Sequence, residues 1–249
     1  MAGNVKKLYG FKPERWGEST KLVFENNYFG ENQVYIAGEQ SGIYNFFELD
    51  CSVANGSKFN NNVFTKNACH NVINFYQVDD GTEQEPVVIE IKNNTFECLP
   101  DSNPFRIGCK GAPQNVRFYV EGNKYVPDPE TEPDYVGLFF IQPYVKQTED
   151  LSGISIYLKD NDVGDNPLFY YYAGKNDAKL IDVDETKLPK VFIYNNTKKT
   201  YEQVKVLDYA VGADTLAEIE AATAPDQEIP SSDTPETPTT DPNTPVTGQ

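Results

Sequence analysis

The stretch Val87–Phe96, VVIEIKNNTF, carries a pattern that returns along most of the chain. Taking the second Asn of its pair as an anchor, Asn94 has counterparts at Asn27 (VFENNYF), Asn62 (KFNNNVF), Asn123 (YVEGNKYV), Asn161 (YLKDNDV) and Asn196 (FIYNNTK). Successive anchors stand 35, 32, 29, 38 and 35 residues apart. Three and five residues before the anchors lie Phe24 and Leu22, Ile91 and Ile89, Val120 and Phe118, Leu158 and Ile156, and Ile193 and Val191. Such alternation predicts a strand with one apolar face. The Asn62 copy departs from it, with Phe59 but then Ser57. Two residues after the anchors come Phe29, Phe64, Phe96, Tyr125 and Val163, and the series breaks at Lys198.

A strand, an Asn pair and a further apolar position, returning at a loose period, make an internal repeat. Asn tolerates the left-handed backbone that a sharp turn needs. If the units coil, each strand pairs in parallel with its copy in the next unit, and the anchor amides stack in a ladder. One amide bond nets about 1 kcal/mol, while an unpaired buried amide costs more, so the ladder sets register more than it adds stability. Two residues before the anchors stand Glu25, Asn60, Lys92, Glu121, Lys159 and Tyr194. Within that series Lys92, Glu121 and Lys159 alternate in sign, as stacking favours.

These Asn-x-aromatic rungs, over roughly residues 20 to 210, resemble the right-handed parallel β-helix repeats of the pectate-lyase-like superfamily. That superfamily includes polysaccharide lyases and hydrolases and many phage tailspikes and fibres. The resemblance implies an all-β chain: an N-terminal cap or anchoring segment over 1–20, then a right-handed parallel β-helix over 21–212. It also implies a non-enzymatic phage virion structural protein, such as a head fibre, capsid decoration or tail-associated component, in the form of a homotrimer. Its partners would be other virion proteins and a host surface glycan, and its location the virion. The fold hosts both enzymes and inert shafts, so a polysaccharide lyase or hydrolase and a carbohydrate-binding module stand as alternatives.

Composition narrows the classes. The 249 residues carry a formal charge of −17, and only Arg15, Arg106 and Arg117 are arginine, which disfavours a phosphate-gripping surface and hence nucleic-acid binding. The start, MAGNVKKLYGF, has no signal-peptide apolar run, and no stretch reaches bilayer-spanning length, so synthesis in a host cytoplasm without membrane insertion is expected. Cys51, Cys69, Cys98 and Cys109 show no metal spacing; buried thiols are expected, with a Cys98–Cys109 bridge as the alternative.

The 1–20 segment is locally basic through Lys6, Lys7, Lys12 and Arg15. Further apolar strands are predicted between the anchors, among them 34–38, 43–49, 72–78, 105–109, 136–145, 168–174 and 204–211. Residues 213–224 read as a short helix capped by Thr215 and Glu218, and 225–249 as a Pro/Thr-rich acidic flexible tail.

Glycan hydrolysis needs paired carboxylates, and lyase chemistry a base beside a cation. The catalytic candidates are Asp79 with Asp80, Asp182 with Asp184 and Glu185, and Asp160 with Asp162 and Asp165; all sit in turns, where acidic residues are common for backbone reasons. Asp160, Asp162 and Asp165 match a calcium loop imperfectly, with Gly164 one position early and Tyr171 where a bidentate Glu belongs, so no metal and no cofactor are expected. Tyr170, Tyr171 and Tyr172 are the candidates for stacking on a glycan, since a strand sends at least one of the three outward.

Overall fold

The computed structural model describes residues 7–11, 18–30, 43–67, 69–98, 103–127, 137–142, 149–172 and 183–211. They form a parallel β-solenoid of about 4 turns, built from three sheets. The strands that precede the Asn pairs make the anchor sheet: Val23–Glu25, Ser57–Asn60, Val87–Lys92, Val116–Glu121, Ile154–Lys159 and Lys190–Asn195, ending in Thr200–Val204. Those that follow the pairs make a short sheet of Tyr28–Gly30, Val63–Asn67, Thr95–Cys98 and Lys124–Val126. The long sheet runs through Lys7–Phe11, Ile43–Val53, Cys69–Val78, Asn103–Ile107, Phe139–Ile141, Phe169–Tyr172 and Ala210–Val211, with Ser19–Thr20 beside Ile43–Val53. Residues 7–11 and 19–20, which match no rung in sequence, are thus themselves parallel strands.

The apolar alternation becomes the core. Ile89, Phe118 and Ile156 lie in register, as do Ile91, Val120 and Leu158, and all six are buried. The Ser57 departure has a local cause: its hydroxyl donates to Ala54 C=O at 2.8 Å and accepts Leu22 N–H at 3.0 Å, filling a strand-end need that no apolar residue meets. Phe29, Phe64 and Phe96 stack down the corner at 5.0 and 5.3 Å between ring centroids. In the long sheet, Phe105, Phe139 and Phe169 stack at 4.9 and 5.5 Å.

Each Asn pair divides its work. The first member takes the left-handed backbone, at Asn26, Asn61 and Asn93, with Gly122 and Asp160 in the later copies. The second forms the ladder. Asn62 Oδ1 accepts both the N–H and the Nδ2 of Asn27, and the same two bonds join Asn62 to Asn94, Asn94 to Asn123 and Asn123 to Asn161, all at 2.9–3.1 Å.

Asn196 does not join this ladder. Its Nδ2 donates to Asp160 Oδ1 at 3.2 Å on the exposed surface. Lys198 supplies no apolar side chain for another inward strand. Instead Asn195 Oδ1 accepts the N–H groups of Thr197 and Lys198, each at 3.0 Å, and the chain doubles back so that Thr200–Val204 pairs antiparallel with Lys190–Asn195. That hairpin covers the last parallel strand of the anchor sheet.

The strand predicted over 204–211 is also corrected. Val206–Tyr209 form a 3-10 turn that buries the neighbours Val206 and Leu207 together, whereas a strand would send one of them outward. Cys51 and Cys109 are buried thiols, so the Cys98–Cys109 bridge does not form. The strand expected over 34–38, the helix over 213–224 and the tail over 225–249 lie outside the described residues.

Candidate functional site

Alternation along the anchor strands sends every second residue out of the solenoid, and the parallel register lines these residues into files. One file runs Lys58, Glu90, Tyr119, Tyr157 and Phe192. Tyr119 and Tyr157 stack at 5.0 Å and 16°, and Tyr157 and Phe192 at 5.0 Å and 10°. Lys92 Nζ lies 5.5 Å from the Tyr119 ring centre. The three rings are half-buried, and the faces of Tyr119 and Tyr157 are turned on each other and that of Phe192 on Tyr157.

The adjacent file carries charge. Lys92 Nζ bridges Glu90 Oε1 at 3.3 Å and Glu121 Oε2 at 3.2 Å, while Lys58 reaches Glu90 at 3.5 Å. Both carboxylates contact one ammonium, so they lie no further apart than those two contacts laid end to end. Partial burial would raise Glu90, but the bond from Asn60 and the charges of Lys92 and Lys58 outweigh it and hold the carboxyl below its ordinary range. Burial would likewise depress Lys92, yet the bond to Glu121 and the charges of Glu121 and Glu90 carry it above the usual lysine value.

Tyr201, on the closing hairpin strand, donates its hydroxyl to Glu121 Oε1 at 3.1 Å and meets Tyr157 and Tyr194 edge-on. Burial, then that carboxylate, push its phenol upward. The expected sign alternation holds in register through Lys92, Glu121 and Lys159; Lys92 and Glu121 form an ion pair, while Lys159 sits 4.6 Å over the Tyr194 ring.

The sequence-predicted candidates fall elsewhere. Asp79 Oδ2 accepts Ser19 Oγ at 2.5 Å, and Asp80 Oδ1 accepts Gln114 N–H at 2.9 Å, so each ties its turn to a neighbouring rung. Asp184 caps the short 3-10 turn Glu185–Lys187 by accepting Thr186 N–H at 3.1 Å and Thr186 Oγ1 at 2.5 Å. Those Thr186 bonds hold its carboxyl below the ordinary range. Asp182 lies outside the described residues. Asp160 Oδ1 takes Asn196 and Asp162 Oδ1 takes Gly164 N–H, the work of turn residues.

Of the three tyrosines named for glycan stacking, Tyr170 and Tyr171 are buried and only Tyr172 is half-buried. Tyr171 is inward-facing, in register with Ile141, and burial pushes its phenol up to about 12. Tyr170 stacks on Phe140 at 5.4 Å and donates its hydroxyl to Asn103 Oδ1 at 3.1 Å. Neither presents a ring face to solvent.

Reasoning from sequence missed Tyr119, Tyr157, Phe192 and Tyr201. A signal for the first three was present, since all stand four residues before an anchor. A cleft of about 280 Å³ opens beside the hairpin, lined in part by Glu185, Lys190, Gln203 and Lys205. Among the described residues, no group of three or more His, Cys, Asp or Glu is placed to hold a metal ion. No family model, curated protein or solved structure matches this chain.

Proposed function

We propose that this chain is a non-enzymatic structural protein of a phage virion, a β-solenoid shaft of the head-fibre, capsid-decoration or tail-associated kind. The observation that carries the reading is how the rungs use their side chains. Anchor amides, ring files and the Lys92–Glu121 pair all bond from one rung to the next. A body held by such nearest-neighbour bonds is stiff along its axis. Asp79 and Asp80, engaged in turns between rungs, favour the same reading. The virion assignment, the trimer and the partnership with other virion proteins rest on the likeness of the repeat to phage β-helices of the pectate-lyase-like kind. Electron microscopy of native particles labelled with an antibody to this chain tests it: label at a fixed site on the particle supports the reading, and protein found only free of particles overturns it.

A second reading is favoured by the outward row Tyr119, Tyr157 and Phe192 beside the Glu90–Lys92–Glu121 cluster. Half-buried aromatic rings and alternating charges suit a host surface glycan, and a carboxylate beside a cation is what lyase chemistry needs. Incubation with capsular polysaccharide, followed by assay for reducing ends and unsaturated uronates, separates the cases. Cleavage abolished by Glu121→Gln would make the chain a depolymerase. Retention on a glycan column that Tyr119→Ala abolishes, without cleavage, would make it a carbohydrate-binding module.

A further inference from the structure

The two ends of the anchor sheet are finished differently. At one end Thr200–Val204 covers the last parallel strand. At the other, Val23–Glu25 is outermost and pairs only with Ser57–Asn60 among the described residues. Lys58 N–H donates to Leu22 C=O at 2.8 Å and Asn26 N–H to Asn60 C=O at 3.1 Å, which fixes the strand's parity. Leu22, Phe24 and Asn26 therefore turn their backbone groups into the sheet, and Lys21, Val23 and Glu25 turn theirs out of its open edge.

The side chains mark the same edge. Val23 is 53% and Tyr28 69% exposed, the two most exposed of the large apolar side chains described. The ladder also stops here. Asn62, Asn94, Asn123 and Asn161 each receive two bonds at Oδ1 from the rung before, but among the described residues no anchor precedes Asn27, and its Nδ2 turns back to Glu25 C=O at 3.2 Å. An open edge of this kind is a template for another strand.

We propose that this edge pairs with the same edge of a second copy, antiparallel, about a two-fold axis at Val23. The register follows from the residues. Val23 faces the partner's Val23, and Lys21 faces the partner's Glu25 on both sides of the axis. Inward Leu22 faces the partner's inward Phe24. The residues whose backbone groups point outward are the ones that a hydrogen-bonded antiparallel pair requires. A slip of two residues in either direction sets Val23 against Glu25 or Lys21 and breaks both charge pairs. A slip of one puts apolar side chains on the wrong face. The sequence of this edge is complementary to itself, which is the requirement of a two-fold interface. The inference goes beyond the proposed shaft function and does not depend on the virion assignment, but it replaces the trimer of that reading, since a two-fold edge pair makes a dimer.

Sedimentation of the full chain over a wide concentration range tests it. The expected result is a monomer–dimer equilibrium. Lys21→Glu and Glu25→Lys each place two like-charge pairs across the axis, and each weakens association about tenfold. The double variant K21E/E25K restores the pairs with their signs exchanged and recovers wild-type association. Val23→Pro removes an N–H that only the dimer uses, and yields a monomer whose circular dichroism matches the wild type. Should that variant fail to fold, the charge-swap cycle decides alone. A chain that stays monomeric throughout, a trimer, a dimer indifferent to Val23→Pro, or a double variant as weak as the sum of its singles overturns the proposal.

Discussion

Asn94 and Asn123 stand 29 residues apart in sequence, yet Asn123 Oδ1 accepts both the Asn94 N–H at 3.0 Å and the Asn94 Nδ2 at 2.9 Å. One oxygen thereby satisfies a backbone donor and a side-chain donor of the rung before it, at a corner where both are buried. The relation recurs at each earlier corner, so the ladder both closes the turn and sets the height of the next strand.

Removing one amide leaves donors buried without partners. Asn94→Ala strands the Asn62 N–H and one hydrogen of its Nδ2, removes the donor to Phe59 C=O and leaves Asn123 Oδ1 with only the residue 94 N–H, and should cost roughly 2–4 kcal/mol. Asn196→Ala, outside the ladder and exposed, should fall within about 0.5 kcal/mol of wild type. Urea unfolding of both variants measures the contrast; equal losses would remove the distinction between the two positions.

Phe64 lies between Phe29 and Phe96 in the corner stack and is buried. Phe64→Ala opens a cavity with rings on both sides, and a loss of about 3–5 kcal/mol is expected. Tyr28→Ala, on an exposed ring at the same corner, should change little. Thermal or urea unfolding reads the difference.

Gly122 has φ +65°, and a Cβ there would collide with Asn93 Oδ1. Gly122→Ala should cost about 1–2 kcal/mol, part from the left-handed backbone and part from that contact. In an Asn93→Gly background the contact vanishes while the backbone cost stays. The double variant should therefore be more stable than the sum of the singles, which a double-mutant cycle detects.

The Glu90–Lys92–Glu121 cluster makes stability depend on pH at both extremes. Glu90 is held low when folded, so its contribution is present above the ordinary carboxylate value of about 4.3 and is lost as pH falls through the folded value. Lys92 is held high, so its contribution is present below about 10.4 and is lost as pH rises through the folded value. The stability gap between wild type and Lys92→Met, expected to be about 1 kcal/mol near neutrality, should narrow on both flanks. A gap that stays flat from acid to alkali would contradict the assignment.

Cys109 is fully buried, and burial pushes its thiol up to about 12. It should resist alkylation at neutral pH in the native chain and react once denaturant unfolds the rungs. Peptide mapping after iodoacetamide treatment with and without denaturant distinguishes the two states.

The inward half of this architecture was legible in the chain. Ile89 and Ile91, Phe118 and Val120, Ile156 and Leu158 announce strands by alternation alone, and Asn27, Asn62, Asn94, Asn123 and Asn161 announce the corner. The reason is that a coiled repeat needs the same side chain at the same place in each turn, and that need is written at a countable spacing. Legibility failed where a residue's role depends on what ends beside it. Asn196 fits the spacing, but the turn that Asn195 closes with Thr197 and Lys198 sets its amide on the exposed surface against Asp160 and not in the buried file below Asn161.

The sequence by itself determined the period, the apolar face and the turn chemistry, because these are local preferences of backbone and side chain. Only the tertiary structure decided which outward residues meet. Tyr119, Tyr157 and Phe192 become one stacked row, Tyr171 becomes interior and Tyr170 is buried against Phe140, because register across loops of unequal length sets neighbours that no local preference specifies. The same holds for the open edge at Val23: its parity follows from bonds to Ser57–Asn60, made by residues more than thirty positions away.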